Sequence, residues 1–108
     1  MEKTQTIKGT EPPGSGLFES LVDAFPNPFN GSAVIRYSLP EGSDVTLRVY
    51  NMMGRAVRTL YEGRRETGSY EAVWDGRNDA GRSLPAGVYV IHLTTPYSKR
   101  TVKIVKSN

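Results

Sequence analysis

One histidine and no cysteine set the limits on the chemistry this chain can do. His92 lies in the run Val88 to Thr95, where Tyr89, Ile91 and Leu93 share one face and Val88, Val90, His92 and Thr94 the other. A place on or just beneath a sheet surface accounts for it without a general-base role. The absence of cysteine removes thiolate nucleophiles, disulfides and Cys-ligated zinc or iron–sulfur sites together. Asp75, Asn78 and Asp79 come nearest to a cation site. A calcium loop of the EF-hand kind needs oxygen donors at its first, third and fifth positions, and the third position from Asp75 is Arg77. Asp and Asn in such a cluster serve more simply to cap turns and to accept positive φ. Gly14-Ser15-Gly16 fails as a phosphate-binding fingerprint because Glu19 stands where the third glycine is needed. With no base, nucleophile or metal cluster in view, the expectation is a protein without catalysis and without a cofactor.

Binding chemistry is the alternative. The formal charge is +3 and the pI about 9.3, which raises nucleic acid as a partner, so the distribution of charge decides. Lys99, Arg100, Lys103 and Lys106 stand in a segment with no acid from Tyr97 to the end, with only Tyr97 beside them as a stacking partner. A solvated edge strand uses lysines in the same way, to discourage edge-to-edge pairing. That reading is preferred, and no nucleic acid is expected. Asn30-Gly31-Ser32 matches a glycosylation acceptor but has meaning only in a glycosylating host. The tyrosines at 37, 50, 61, 70, 89 and 97 could form a carbohydrate platform, yet they also suit the half-buried positions of a sandwich.

The elements that must hold these residues follow from a period of two. The chain has 108 residues, about the size of one domain. From residue 1 to 16 it is polar and rich in Pro and Gly, too poor in apolar surface to repay ordering, and reads as a flexible linker or an expression remnant. No apolar run approaches the roughly 20 residues of a membrane-spanning helix. No secretory leader is visible before Gly16, so an export signal would have to lie elsewhere on a larger precursor. Ala33, Ile35, Tyr37 and Leu39 alternate with polar neighbours, as do Val45, Leu47 and Val49, and Asn51 to Gly54 supplies a hairpin turn. Ala56 to Tyr61 is a strand, Glu62 to Gly68 a polar connection, and Tyr70, Ala72 and Trp74 share a further strand in which Trp74 is the core anchor. Val88 to Thr95 and Ser98 to Lys106 complete six strands, with a seventh near Leu17 to Ala24. Strands spaced roughly 8 to 15 residues apart leave no room for helical crossovers, which predicts an all-β antiparallel sandwich over residues 17–108.

Five motifs in order then carry a resemblance. Phe25-Pro26-Asn27-Pro28-Phe29-Asn30, Ile35 to Pro40, Val49 to Arg55, Trp74-Asp75-Gly76 with Gly81, and Gly87-Val88-Tyr89 are similar to the C-terminal sorting domain of type IX secretion cargo. The same pattern resembles the related immunoglobulin-like domain of the flagellar hook-capping protein. The resemblance spans about Ala24 to Lys106 and implies an immunoglobulin-like β-sandwich. It further implies a noncatalytic sorting module at the end of a secreted bacterial protein. Its expected partners are an outer-membrane translocon, a sortase-like peptidase and the cargo fused to its N-terminal side, with a destination outside the cell or on its surface by way of the periplasm. Matched position by position, Pro26, Asn27, Pro28 and Phe29 correspond to the proline-rich motif, Gly87 and Tyr89 to the glycine–tyrosine strand motif, and Lys103, Ile104 and Val105 to the basic–aliphatic terminal motif. Removal of the signal would fall in the segment Thr10 to Ser20.

A final strand with basic and aliphatic residues suggests capture by strand addition at its free edge, with charge for orientation. The same edge could also pair with a second copy of itself. Two other readings stay beside this one: a structural immunoglobulin-like domain, as in the hook-capping protein or a spacer, and a carbohydrate-binding module.

Overall fold

The computed structural model describes residues 20–108. The 1–16 linker, the Gly14-Ser15-Gly16 stretch and all but the last residue of the expected cleavage segment lie outside the described residues. Seven strands follow one another: β1 (Leu21–Phe25), β2 (Ala33–Leu39), β3 (Ser43–Tyr50), β4 (Ala56–Arg65), β5 (Gly68–Trp74), β6 (Gly87–Thr94) and β7 (Lys99–Lys106). They form two antiparallel sheets, one in the order β1-β2-β5 and the other in the order β4-β3-β6-β7. The expected all-β, immunoglobulin-like sandwich is therefore what the chain adopts.

Alternation decides which face of each strand is buried. Ala33, Ile35, Tyr37 and Leu39 of β2 face Val45, Leu47 and Val49 of β3 and Tyr89, Ile91 and Leu93 of β6, with Trp74 and Ile104 closing the same core. The ambiguous stretch before Ala24 becomes β1, paired with β2 from Leu21↔Ser38 to Phe25↔Val34. The β3–β4 turn forms where expected. Asn51 Oδ1 accepts the Met53 and Arg55 amides, and Gly54, at φ +83°, donates to Asn51 O.

One connection differs from its sequence reading. The polar stretch from Glu62 continues as β4 to Arg65, paired in register with Ser43 to Thr46 of β3. Polarity misleads there because the inward-leaning side chain is an arginine. The Arg65 guanidinium lies over two rings, 4.0 Å from the Tyr61 centroid and 4.4 Å from that of Tyr70, and the residue is half-buried there. The chain needs only Glu66 and Thr67 to cross from one sheet to the other.

Candidate functional site

Three segments far apart in the chain meet at one end of the sandwich. Pro26 and Pro28 lack backbone N–H groups, so the segment entering from β1 cannot pair as a regular strand. Both the Phe25–Pro26 and Asn27–Pro28 peptide bonds are cis. The Asn27 side chain substitutes for the missing ladder. Its Nδ2 donates to Lys103 O at 3.0 Å and its Oδ1 accepts the Val105 amide at 2.9 Å. Phe29 continues the pairing with its own backbone, donating to Val105 O at 2.9 Å and accepting from the Ser107 amide at 2.8 Å and the Ser107 hydroxyl at 2.9 Å. The segment Pro26 to Phe29 is thus a clip along the outer edge of β7.

Aromatic packing anchors the clip. The Phe29 ring is buried 5.3 Å from Trp74, which in turn meets Tyr89 edge-on at 5.3 Å. The polar ends of these rings are satisfied, since Trp74 Nε1 donates to Arg77 O and the Tyr89 hydroxyl to Pro85 O. Gly76, at φ +75°, completes the floor: a Cβ there would lie 2.6 Å from Lys106 Cε. The Lys106 stem therefore runs in the space glycine leaves, and its ammonium reaches back to Asn108 O.

This geometry brings together most of the residues singled out by sequence. Phe29, Tyr89 and Ile104 are buried, Gly87 and Val105 half-buried, and Pro26, Asn27, Pro28 and Lys103 exposed. Gly87 sits at φ +152° and pairs with Lys106. Two expectations are corrected. The edge of β7 is not open over Lys103 to Val105, because Asn27 and Phe29 already hold Lys103 O, Val105 N and Val105 O. Lys106 does not belong to a solvated lysine row; it is 3% exposed, because Gly76 and Phe29 give its methylenes a place to pack. Neither contact has a local sequence signal. Trp74-Asp75-Gly76 marks a turn but not that Lys106 lies over it.

The remaining candidates stand apart from this end or support it. His92 lies on the outer sheet face, its ring 4.2 Å from Tyr50, and burial together with the nearby Lys99 charge pushes its pKa below the usual histidine value. Asp75, Asn78 and Asp79 cap turns. Desolvation pushes the Asp75 carboxyl up, but its Oδ1 accepts the Arg77 amide and the Arg58 guanidinium, and these hydrogen bonds together with the Arg58 charge hold it below its ordinary range. Asn78 Oδ1 accepts the Ala80 and Arg82 amides. Asp79 clips β4, with its amide on Val57 O and its Oδ1 on the Thr59 amide, both at 3.0 Å. Sequence inspection gave no sign that Asp79 covers a second strand edge.

Residues 26–99 match the family model described as FlgD Ig-like domain, a span that starts at the first proline of the clip and ends on the first residue of β7. The chain belongs to the FlgD Ig-like domain family. Lys103 to Val105 fall beyond the matched span of this Ig-like domain. Among solved structures it is similar to dimeric latent PorU from Porphyromonas gingivalis, with a TM-score of 0.63, 22% identity and 82% of this chain covered. It is also similar to PorZ, described as an essential bacterial surface component of the type IX secretion system of the same organism, with a TM-score of 0.54, 18% identity and 81% coverage. FlgD from P. aeruginosa aligns with a TM-score of 0.58, 23% identity and 81% coverage. The Ig-like domain spans 9% of the PorU chain, 11% of the PorZ chain and 69% of the FlgD chain. At these identities the shared property is the fold. No curated protein sequence matches the chain.

Proposed function

We propose that this Ig-like domain is a noncatalytic sorting and interaction module, fused to a larger cargo and read by the outer-membrane machinery of type IX secretion. The observation that carries the proposal is the convergence of the proline-rich motif, Tyr89 and the basic–aliphatic motif on one end of the sandwich. There Pro26, Asn27, Pro28 and Lys103 are exposed on a clip that exists only when the two ends of the domain are closed on each other. A machine that reads this surface reads a folded domain. The likeness to PorU and to the type IX component PorZ supports the setting. Surface attachment with removal of the domain by a sortase-like peptidase belongs to the same proposal. The absence of catalysis is supported by where the titratable side chains go: His92 packs on Tyr50, and Asp75 and Asp79 are engaged by Arg58 and backbone amides.

A structural role as an Ig-like spacer is the second reading, favoured by the family match and by the large share of FlgD that the fold covers. The carbohydrate-binding reading gains little, because of the six tyrosines only Tyr97 is largely exposed, at 70%. Fusing residues 17–108 behind a periplasm-directed fluorescent reporter, in a bacterium with type IX secretion, separates the first two readings. Sorting predicts that Lys103→Ala and Lys103→Glu, which change an exposed side chain whose backbone oxygen alone serves the clip, lower release of the reporter without lowering the stability of the fusion. A spacer predicts retention in the periplasm with or without these changes.

A further inference from the structure

Among the described residues, some outer strand edges are covered and that of β5 is not. In the four-stranded sheet, the outer edge of β7 carries the Asn27–Phe29 clip, and that of β4 is held by Asp79 at Val57 and Thr59 and by the Tyr61 hydroxyl on Arg64 O. In the three-stranded sheet, β1 packs beside β7, where Ser20 and Ser98 hydroxyls meet at 3.1 Å. β5 pairs with β2 on one side and, among the described residues, with no strand on the other. It also carries no charge, proline or bulge of the kind that discourages pairing except Glu71.

The outer face of this sheet is organised in rows that run off the β5 edge. Asp23, Arg36 and Glu71 align across the three strands, alternating in sign, with Arg36 Nε 3.4 Å from Glu71 Oε2. Phe25, Val34 and Val73 form the next row, and Val73 is 60% exposed. Leu21, Ser38 and Ser69 form the third. Cross-strand neighbours on one face are the pairs that select a partner strand, and like charges directly opposite are unfavourable. The alternating row asks for a cation opposite Glu71, and the apolar row asks for an aliphatic residue opposite Val73.

We propose that β5 is a strand-addition site for an extended basic–aliphatic polypeptide segment. In the antiparallel sense of the sheet, that segment presents an aliphatic, a cationic and a small polar side chain at alternate positions, opposite Val73, Glu71 and Ser69. Backbone hydrogen bonds supply attachment and the two rows supply register. A second copy of β5 offers no cation to Glu71: centring the pair on position 71 sets Glu71 against Glu71, and centring it on 70 or 72 sets Glu71 against Ser69 or Val73. The inference goes beyond the export reading and does not depend on it.

The test uses the full 108-residue chain, isotopically labelled, and a synthetic extended peptide with valine, lysine and serine at alternate positions separated by threonines. Amide shifts that saturate and concentrate at Gly68 to Trp74 are expected. Exchange of the peptide lysine for glutamate, or Glu71→Lys in the protein, should weaken binding on the order of tenfold. Glu71→Lys should in turn prefer the glutamate peptide, which a merely misfolded variant would not do. Equal binding of both peptides, shifts centred on β4 or β7, no saturable binding, or a β5-paired dimer that forms in place of the peptide complex would each overturn the proposal.

Discussion

At the scale of single residues, side chains that act as surrogate backbone hold the closed end of the sandwich. Asn27 gives one donor and one acceptor to β7, and Phe29 adds a buried ring to its own backbone pairing. The two contributions are separable. Phe29→Ala removes a fully buried aromatic and should lower stability by about 3–5 kcal/mol, whereas Asn27→Ala leaves groups that water can reach and should cost about 1 kcal/mol. Urea unfolding followed by tryptophan fluorescence, with Trp74 as the single reporter beside Phe29, measures both. His92 gives a prediction in pH. Its folded pKa lies below the unfolded value, so the unfolded chain takes up the proton first as pH falls. Its contribution is intact above about pH 6.5 and is lost as pH drops toward the folded pKa. His92→Gln should flatten the stability profile over that window, and an unchanged slope between wild type and variant would show that burial and the Lys99 charge do not depress the imidazole pKa.

At the scale of elements, the period of two located most strands, and it did so because each has one wet face and one dry one. It did not locate the end of β4, where Arg65 is half-buried through its stacking on Tyr61 and Tyr70 rather than through apolar atoms. It also misjudged the last strand. Lys103 and Lys106 look equivalent as letters, yet Lys103 is exposed and Lys106 is buried over Gly76, because odd and even positions of β7 face opposite ways. The clip was legible as a motif but not as a contact, since its partners lie 76 and 78 residues away. These facts change how the C-terminal residues should be tested. Deleting Lys103 to Asn108 removes the buried Ile104, the Lys106 stem and every hydrogen bond the clip makes to β7. The expected outcome is loss of cooperative unfolding by circular dichroism and fluorescence. A truncated chain that still unfolds cooperatively near the wild-type midpoint would mean that the clip is dispensable to the fold.

At the scale of the whole molecule, the sandwich joins its first and last described strands into one closed end, so that any surface formed there reports on folding. That property suits a domain whose task is to be recognised by other proteins after it folds. It serves a structural Ig-like domain equally, because the same clip staples the two ends of the fold together. The Ig-like fold was legible from the strand pattern and the family motifs, whereas the proposed function rests on those motifs alone, because the residue types carry no reactive cluster and the fold serves many roles. The measurement that bears most directly on the central claim is the fraction of a reporter found outside the cell when residues 17–108 form its C-terminal end. It is compared in strains with and without a working type IX translocon, in a host shown to export another member of the family. The account predicts release or surface display only in the competent strain, with the fusion intact in the periplasm of the deficient one. A stable, folded fusion that stays in the periplasm of both strains would contradict it.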